Sequence, residues 1–110
     1  MKVKLENKEY ELKANGAFMK KYQELFNENM IMALYKCSQE KDVYTASKLT
    51  YCAIDEEKSF DEWLDSFETP LFLIAEMDNI ISFLIRSIEP SVAPKEDLTQ
   101  TTDESKKKSQ

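Results

Sequence analysis

The chain has 110 residues, 42% of them apolar and 33% charged, with a formal net charge of −6 and no histidine. That length fits one small domain, and the apolar share excludes a disordered chain. A single glycine and three prolines argue against a loop-rich β fold, and the missing histidine removes the commonest general base and metal ligand.

The first residues, KVKLENKEYELK, alternate apolar and charged side chains. Period two predicts a strand pair with one buried face. With Asn7-Lys8 at the tip, Val3 faces Leu12 and Leu5 faces Tyr10, so all four point the same way. An isolated hairpin is marginal in water, so this one must lie on apolar helices. Asn15-Gly16 breaks the second strand and caps a helix. From Ala17 the period lengthens to that of a helix, and Phe18, Met19, Tyr22, Leu25 and Phe26 form one stripe. Asn27-Glu28-Asn29 marks a kink or a short break. Met30, Ile31, Leu34 and Cys37 carry the next helix to about Gln39, and Glu40-Lys41-Asp42 is a turn.

A third helix is expected from Val43 to Ile54, with Val43, Ala46, Leu49, Thr50 and Ala53 on one face, small enough for close helix approach. Ser59-Phe60-Asp61-Glu62 is a capping box that opens a short helix burying Phe60, Trp63, Leu64 and Phe67. Thr69-Pro70 then reads as the start of the last helix, with proline at the first position. Leu71, Ile74, Met77, Ile81, Leu84 and Ile88 form one face, widened by Phe72, Leu73, Ile80, Phe83 and Ile85. So apolar a helix is central in its own domain or shared with another subunit. Glu76, Asp78, Asn79 and Arg86 interrupt the run from Leu71 to Ile88, which is therefore a buried helix and not a membrane span. From residue 89 to 110 the composition turns polar, and a flexible tail is expected. Its Lys106-Lys107-Lys108 is either a solvated terminus or a basic contact for nucleic acid or acidic protein.

The fold class expected is α+β, mostly α: an N-terminal β-hairpin packed on a small bundle of four to five helices in residues 1–88, then the tail. Cys37 and Cys52 sit in helical patterns as small apolar residues; two cysteines without histidine make neither a disulfide framework nor a zinc site. No metal and no cofactor is expected. No glycine-rich phosphate loop, nucleophile elbow or EF-hand loop occurs, and nothing supplies a tuned base or nucleophile, so an enzyme is not expected. No stretch has the plan of a signal peptide, which favours a reducing compartment.

Two surfaces stand out. Met30, Met32 and Tyr35, with Phe72, Leu73 and Ile85, lie partly off the main apolar stripes; they are candidate client or self-association surface, unless they complete the monomer core. Residues 55–68 carry seven carboxylates against Lys58 alone. This patch, with Asp61, Glu62 and Asp65 at its centre, argues against phosphate-backbone binding. It keeps the protein soluble by self-repulsion, attracts a basic partner, or mimics nucleic acid.

The hairpin KVKLENKEYELK, the AFMKKYQELF helix, the DVYTASKLTYCAI helix, the acidic SFDEWLDSF helix and the apolar closing helix follow one another in an order that resembles the small tail assembly chaperones of long-tailed phages and prophages, of the Gram-positive type. The likeness spans about residues 1–88. Lys8 and Asn27 depart from it, since many relatives have glycine at the hairpin tip and after the first helix. The resemblance implies a non-catalytic protein of the host cytoplasm, absent from the mature virion. It would bind the tape measure protein and keep it soluble until tail tube subunits polymerise around it. It further implies a homo-oligomer, contact with the tail tube protein through a longer form made by ribosomal frameshifting, and no membrane or nucleic-acid partner. Lys106-Lys107-Lys108 is compatible with an adenine-rich slippery sequence. The alternative from a different class is an acidic DNA mimic or regulatory adaptor that binds a basic protein.

Overall fold

A computed structural model describes residues 1–88; the expected tail and its lysine run lie outside the described residues. Two antiparallel strands, β1 (Lys2–Leu5) and β2 (Lys8–Glu11), precede five helices: α1 (Gly16–Phe26), α2 (Met30–Glu40), α3 (Val43–Ala53), α4 (Phe60–Asp65) and α5 (Met77–Ile88). This is the hairpin-on-helices architecture expected.

Side-chain caps set most of the helix boundaries. Asn15, Asn29 and Asp42 sit in extended backbone and accept the N–H of Phe18, Met32 and Tyr44, opening α1, α2 and α3. Ser59 and Glu62 form the reciprocal capping box of α4. Asn27 and Lys41 end α1 and α2 in the left-handed region, at φ 53° and 57°. Asparagine tolerates that region, which explains how the chain manages without glycine after its first helix.

The centre of the fold is α3. Every residue from Thr45 to Ala53 is buried, and α1, α2, α4 and α5 all pack on it. Ala46, Ser47, Thr50 and Ala53 keep it slim. Two of its four buried hydroxyls are satisfied within the helix, Ser47 donating to the Val43 carbonyl and Thr50 to the Ala46 carbonyl, each at 2.8 Å, while Thr45 donates to the Asp42 carboxylate at 2.7 Å and Tyr51 to the Lys58 carbonyl at 2.6 Å. The central helix is therefore α3 and not the last one. α5 is amphipathic, burying Met77, Ile80, Ile81 and Leu84 and exposing Asp78, Asn79, Ser82, Arg86 and Ser87.

The hairpin differs from expectation in register. Its tip is Glu6-Asn7, so Val3 pairs with Tyr10 and Leu5 with Lys8. Moving the tip by one residue moves each partner by two, which preserves the faces, and Val3, Leu5 and Leu12 remain buried. The cause is tertiary. Glu6 takes φ 56°, a cost of roughly 1–2 kcal/mol for a residue with a side chain. There its carboxylate accepts the backbone N–H of Glu68 (3.0 Å) and Thr69 (3.3 Å). Charge-assisted bonds of this kind offset the strain.

The last helix begins seven residues later than Pro70. Between them the chain forms successive short turns, with Phe72, Ile74, Glu76 and Met77 each donating to the carbonyl three residues back. This path lets Phe72 stack on Phe67, ring centroids 3.9 Å apart and planes 8° from parallel, while Trp63 meets both edge-on. A helix running straight from Pro70 would present Leu71 and Ile74 to the core in place of Phe72 and Leu73. The aromatic packing wins, and Leu71 and Ile74 are exposed. Met19, Leu25 and Ile31, expected on core stripes, are exposed as well, because α1 and α2 touch the core through a narrower face.

Trp63 is buried among Tyr10, Tyr51, Phe60, Phe67 and Phe72 and donates its indole N–H to the Tyr10 hydroxyl at 3.3 Å. Trp63→Ala should cost about 3–5 kcal/mol in urea denaturation. Leu71→Ala, at an exposed position, should change the midpoint little. Equal losses from the two substitutions would contradict the packing described.

Candidate functional site

The residues singled out from the sequence divide by burial. Met30, Phe72 and Leu73 are core residues, Leu73 with 0% of its surface exposed, and so are not client surface in this fold. Met30 sits on the α2 face turned towards the core with Ala33, Leu34 and Cys37. Phe72 is held by the stack on Phe67, and Leu73 lies inside the turn that this stack imposes. Ile85 is half-buried against the core. Met32 and Tyr35 are exposed, Met32 at 67%.

Helix geometry extends that exposed pair. Ile31 is one turn before Tyr35, and Met32 is three residues before it, so the three share one side of α2. All three are exposed. A shallow depression beside Met32 is lined by Glu28, Asn29, Ala33, Lys36, Thr45 and Lys48. Beneath it a polar link joins two helices through the α1–α2 connector. Tyr22 of α1 donates to Glu28 Oε1 at 2.8 Å, and Lys48 of α3 donates to the same oxygen at 2.9 Å. Lys48 Nζ also lies 5.2 Å from the Phe26 ring centroid and 5.5 Å from that of Tyr44. The ion pair and the Tyr22 hydrogen bond hold the Glu28 carboxyl below its ordinary range. Burial, reinforced by that carboxylate, raises the Tyr22 phenol.

A second concavity, of about 500 Å³, was not legible in the sequence. Val43, Tyr44 and Ser47 of α3, Leu64 and Asp65 of α4, and residues 67–72 line it. Tyr44 and Leu71 are 57% and 56% exposed. Leu71 was expected in the core and Tyr44 had no assignment. Only the late start of α5 and the crossing of α3 with α4 bring them to one groove, and neither leaves a periodic trace in the sequence.

Asp61, Glu62 and Asp65 are exposed on α4. Glu62 serves the capping box, and Asp61 and Glu62 both stand in the first turn, where the helix dipole favours carboxylates. Part of the acidic patch therefore has a local structural reason. Among the described residues no group of three or more metal-binding side chains gathers, and no helix is long and apolar enough to cross a membrane. Cys37 and Cys52 are free and buried. Burial pushes each thiol up to about 11.

No protein-family model, no curated protein and no solved structure matches this chain.

Three of the groups that burial raises, Cys37, Cys52 and Tyr22, define an alkaline limit. Unfolded cysteine and tyrosine ionise near pH ~8.5 and ~10. The folded state keeps Cys37, Cys52 and Tyr22 protonated beyond those values. Their contribution is whole below the unfolded pKa and is lost as pH rises through the folded one. Urea stability should fall from about pH 8.5 upwards, and Cys52→Ala and Tyr22→Phe should each flatten the decline. Iodoacetamide should label neither cysteine in the native protein at neutral pH and both in urea. Rapid native labelling would contradict the burial.

Proposed function

We propose that this protein is a tail assembly chaperone of the long-tailed phage type. It binds the helical tape measure protein through apolar surface and holds it soluble until the tail tube forms. The observation that carries this reading is the exposed side of α2, where Ile31, Met32 and Tyr35 stand in solvent although the domain has a well-filled core of its own. Scattered apolar residues on a surface are ordinary; three at one helical spacing form a strip that a client helix can lie against. Methionine suits such a role, because its unbranched, polarisable side chain adapts to varied partners. The order of hairpin, three helices, acidic helix and amphipathic closing helix supports the same reading. Repeated weak contacts along a long client would raise avidity without one tight site. Oligomerisation, the frameshifted longer form with its tail tube contact, residence in the host cytoplasm and absence from the virion belong to this proposal.

Co-expression with a tape measure protein of a long-tailed phage should turn that client from aggregated to soluble, with both proteins in one size-exclusion peak. Met32→Asp with Tyr35→Asp should leave the circular dichroism and melting unchanged and abolish the rescue. A client that stays insoluble beside the unmodified protein, with no complex formed, would sink the proposal.

The exposure of Asp55, Glu57, Asp61, Asp65 and Glu68 favours the second reading, an acidic regulator of a basic protein. On that reading complexes dissolve as salt rises, since exposed charges are screened within about 8 Å at physiological ionic strength. Binding to a client that survives high salt but not the α2 double substitution would exclude it.

A further inference from the structure

We propose that the groove between α3, α4 and residues 67–72 is a docking site for an amphipathic helical segment of a partner protein, apolar on one side and carrying lysine or arginine beside it. The inference goes beyond the chaperone reading and does not depend on the identity of the client.

The groove offers apolar side chains and shape. Val43, Tyr44, Leu64, Pro70 and Leu71 give it an apolar lining, with Tyr44 and Leu71 more than half exposed. Its volume of about 500 Å³ falls within the range of sites that bury a ligand's side chains. Its walls are helix and turn, and the one sheet of the described residues does not line it. An added strand would find no edge to pair with, so recognition must run through side chains, the mode in which a helix lies in a groove.

The wall is built to stay in place. The Glu6 carboxylate holds the backbone N–H groups of Glu68 and Thr69, and Thr69 Oγ1 accepts from Leu71 N at 3.2 Å. Phe67 and Phe72 stack behind it on Trp63. A preformed wall lowers the ordering cost of binding.

The charge is one-sided. Asp65 and Glu68 are among the lining residues and no lysine or arginine is. Asp61 stands one turn before Asp65 on the same side of α4. The two cations nearest the lining aromatics have other partners: Lys8 donates to Ser66 Oγ at 2.9 Å while covering the Phe67 ring, and Lys48 is paired with Glu28. A segment that seats apolar side chains here meets uncompensated carboxylates at the edge, and basic residues complement them.

The test uses the full chain and a pair of short synthetic helical peptides, leucine on one side and either lysine or glutamate on the other, read by fluorescence anisotropy and by amide chemical shifts. The lysine peptide should bind at least about tenfold more tightly than the glutamate peptide, a difference that shrinks with salt. Shifts should centre on Tyr44, Leu64, Asp65 and Leu71. Leu71→Asp, and Asp65→Lys with Glu68→Lys, should each weaken binding at least about tenfold with helicity retained. Glu6→Ala, which touches no ligand, should weaken it less and broaden the amide signals of residues 67–72. Three results would overturn the proposal: shifts that map to α2, equal affinity for both peptides, or self-association of the unmodified chain abolished by Leu71→Asp, which would make a second copy the occupant. Peptide binding here with the tape measure protein still insoluble supports the groove and removes the chaperone reading. Client rescue with a silent groove does the reverse.

Discussion

Nine consecutive residues of α3, Thr45 to Ala53, are withdrawn from water, and they include four hydroxyls and a lysine. A helix buried all round must satisfy its own polar atoms and leave space for neighbours on every side. The Ser47 and Thr50 hydroxyls turn back onto the helix backbone, and those of Thr45 and Tyr51 donate to the Asp42 carboxylate and the Lys58 carbonyl. The lysine extends to the surface, where Glu28 receives it, its stem running along apolar surface in the manner of long basic side chains. The small residues admit four helices around one axis. Without that solution a domain this short would have no centre, since small chains bury a modest share of their surface.

A second unit is fastened to this centre through rings. Trp63 joins the underside of the hairpin, through Tyr10, to α3, through Tyr51, and to the turn that leads into α5. Around it the chain accepts two local irregularities, a positive φ at Glu6 and a delayed helix after Pro70. Both are local preferences overruled by contacts distant in sequence. Both shape the same wall of the same groove. Irregularities that gather at one place are where binding surface is most often found.

Much of the fold was legible because its signals are local. Asn15 and Ser59 read as caps ahead of helical periodicity and both cap, while Asn29 and Asp42, read only as part of a break and of a turn, prove to be caps as well. The free cysteines and the burial of Trp63 follow from composition and spacing in the same way. What could not be read depended on distant partners. The hairpin register needed Glu68 and Thr69, and the start of α5 needed Phe67 and Trp63. The surfaces suffered most. Periodicity reports which residues share a side of a helix, but not how wide a side the neighbours cover. Met30 and Met32 look alike in sequence, yet one is core and the other is the most exposed methionine described. Tyr44 and Leu71 come together only in three dimensions.

The attachment of the hairpin also sets an order of events in synthesis. Glu6 and its partner Glu68 are 62 positions apart, and Tyr10 and Trp63 are 53 apart. The strands are made well before much of the surface they rest on. Until the chain reaches Phe72 the aromatic cluster under the hairpin is incomplete, and α3 still lacks α5. Closing so long a span carries a loop entropy that must be met before any contact rewards it. Until both ends of that span exist, the apolar side of the strands lies open to whatever is nearby.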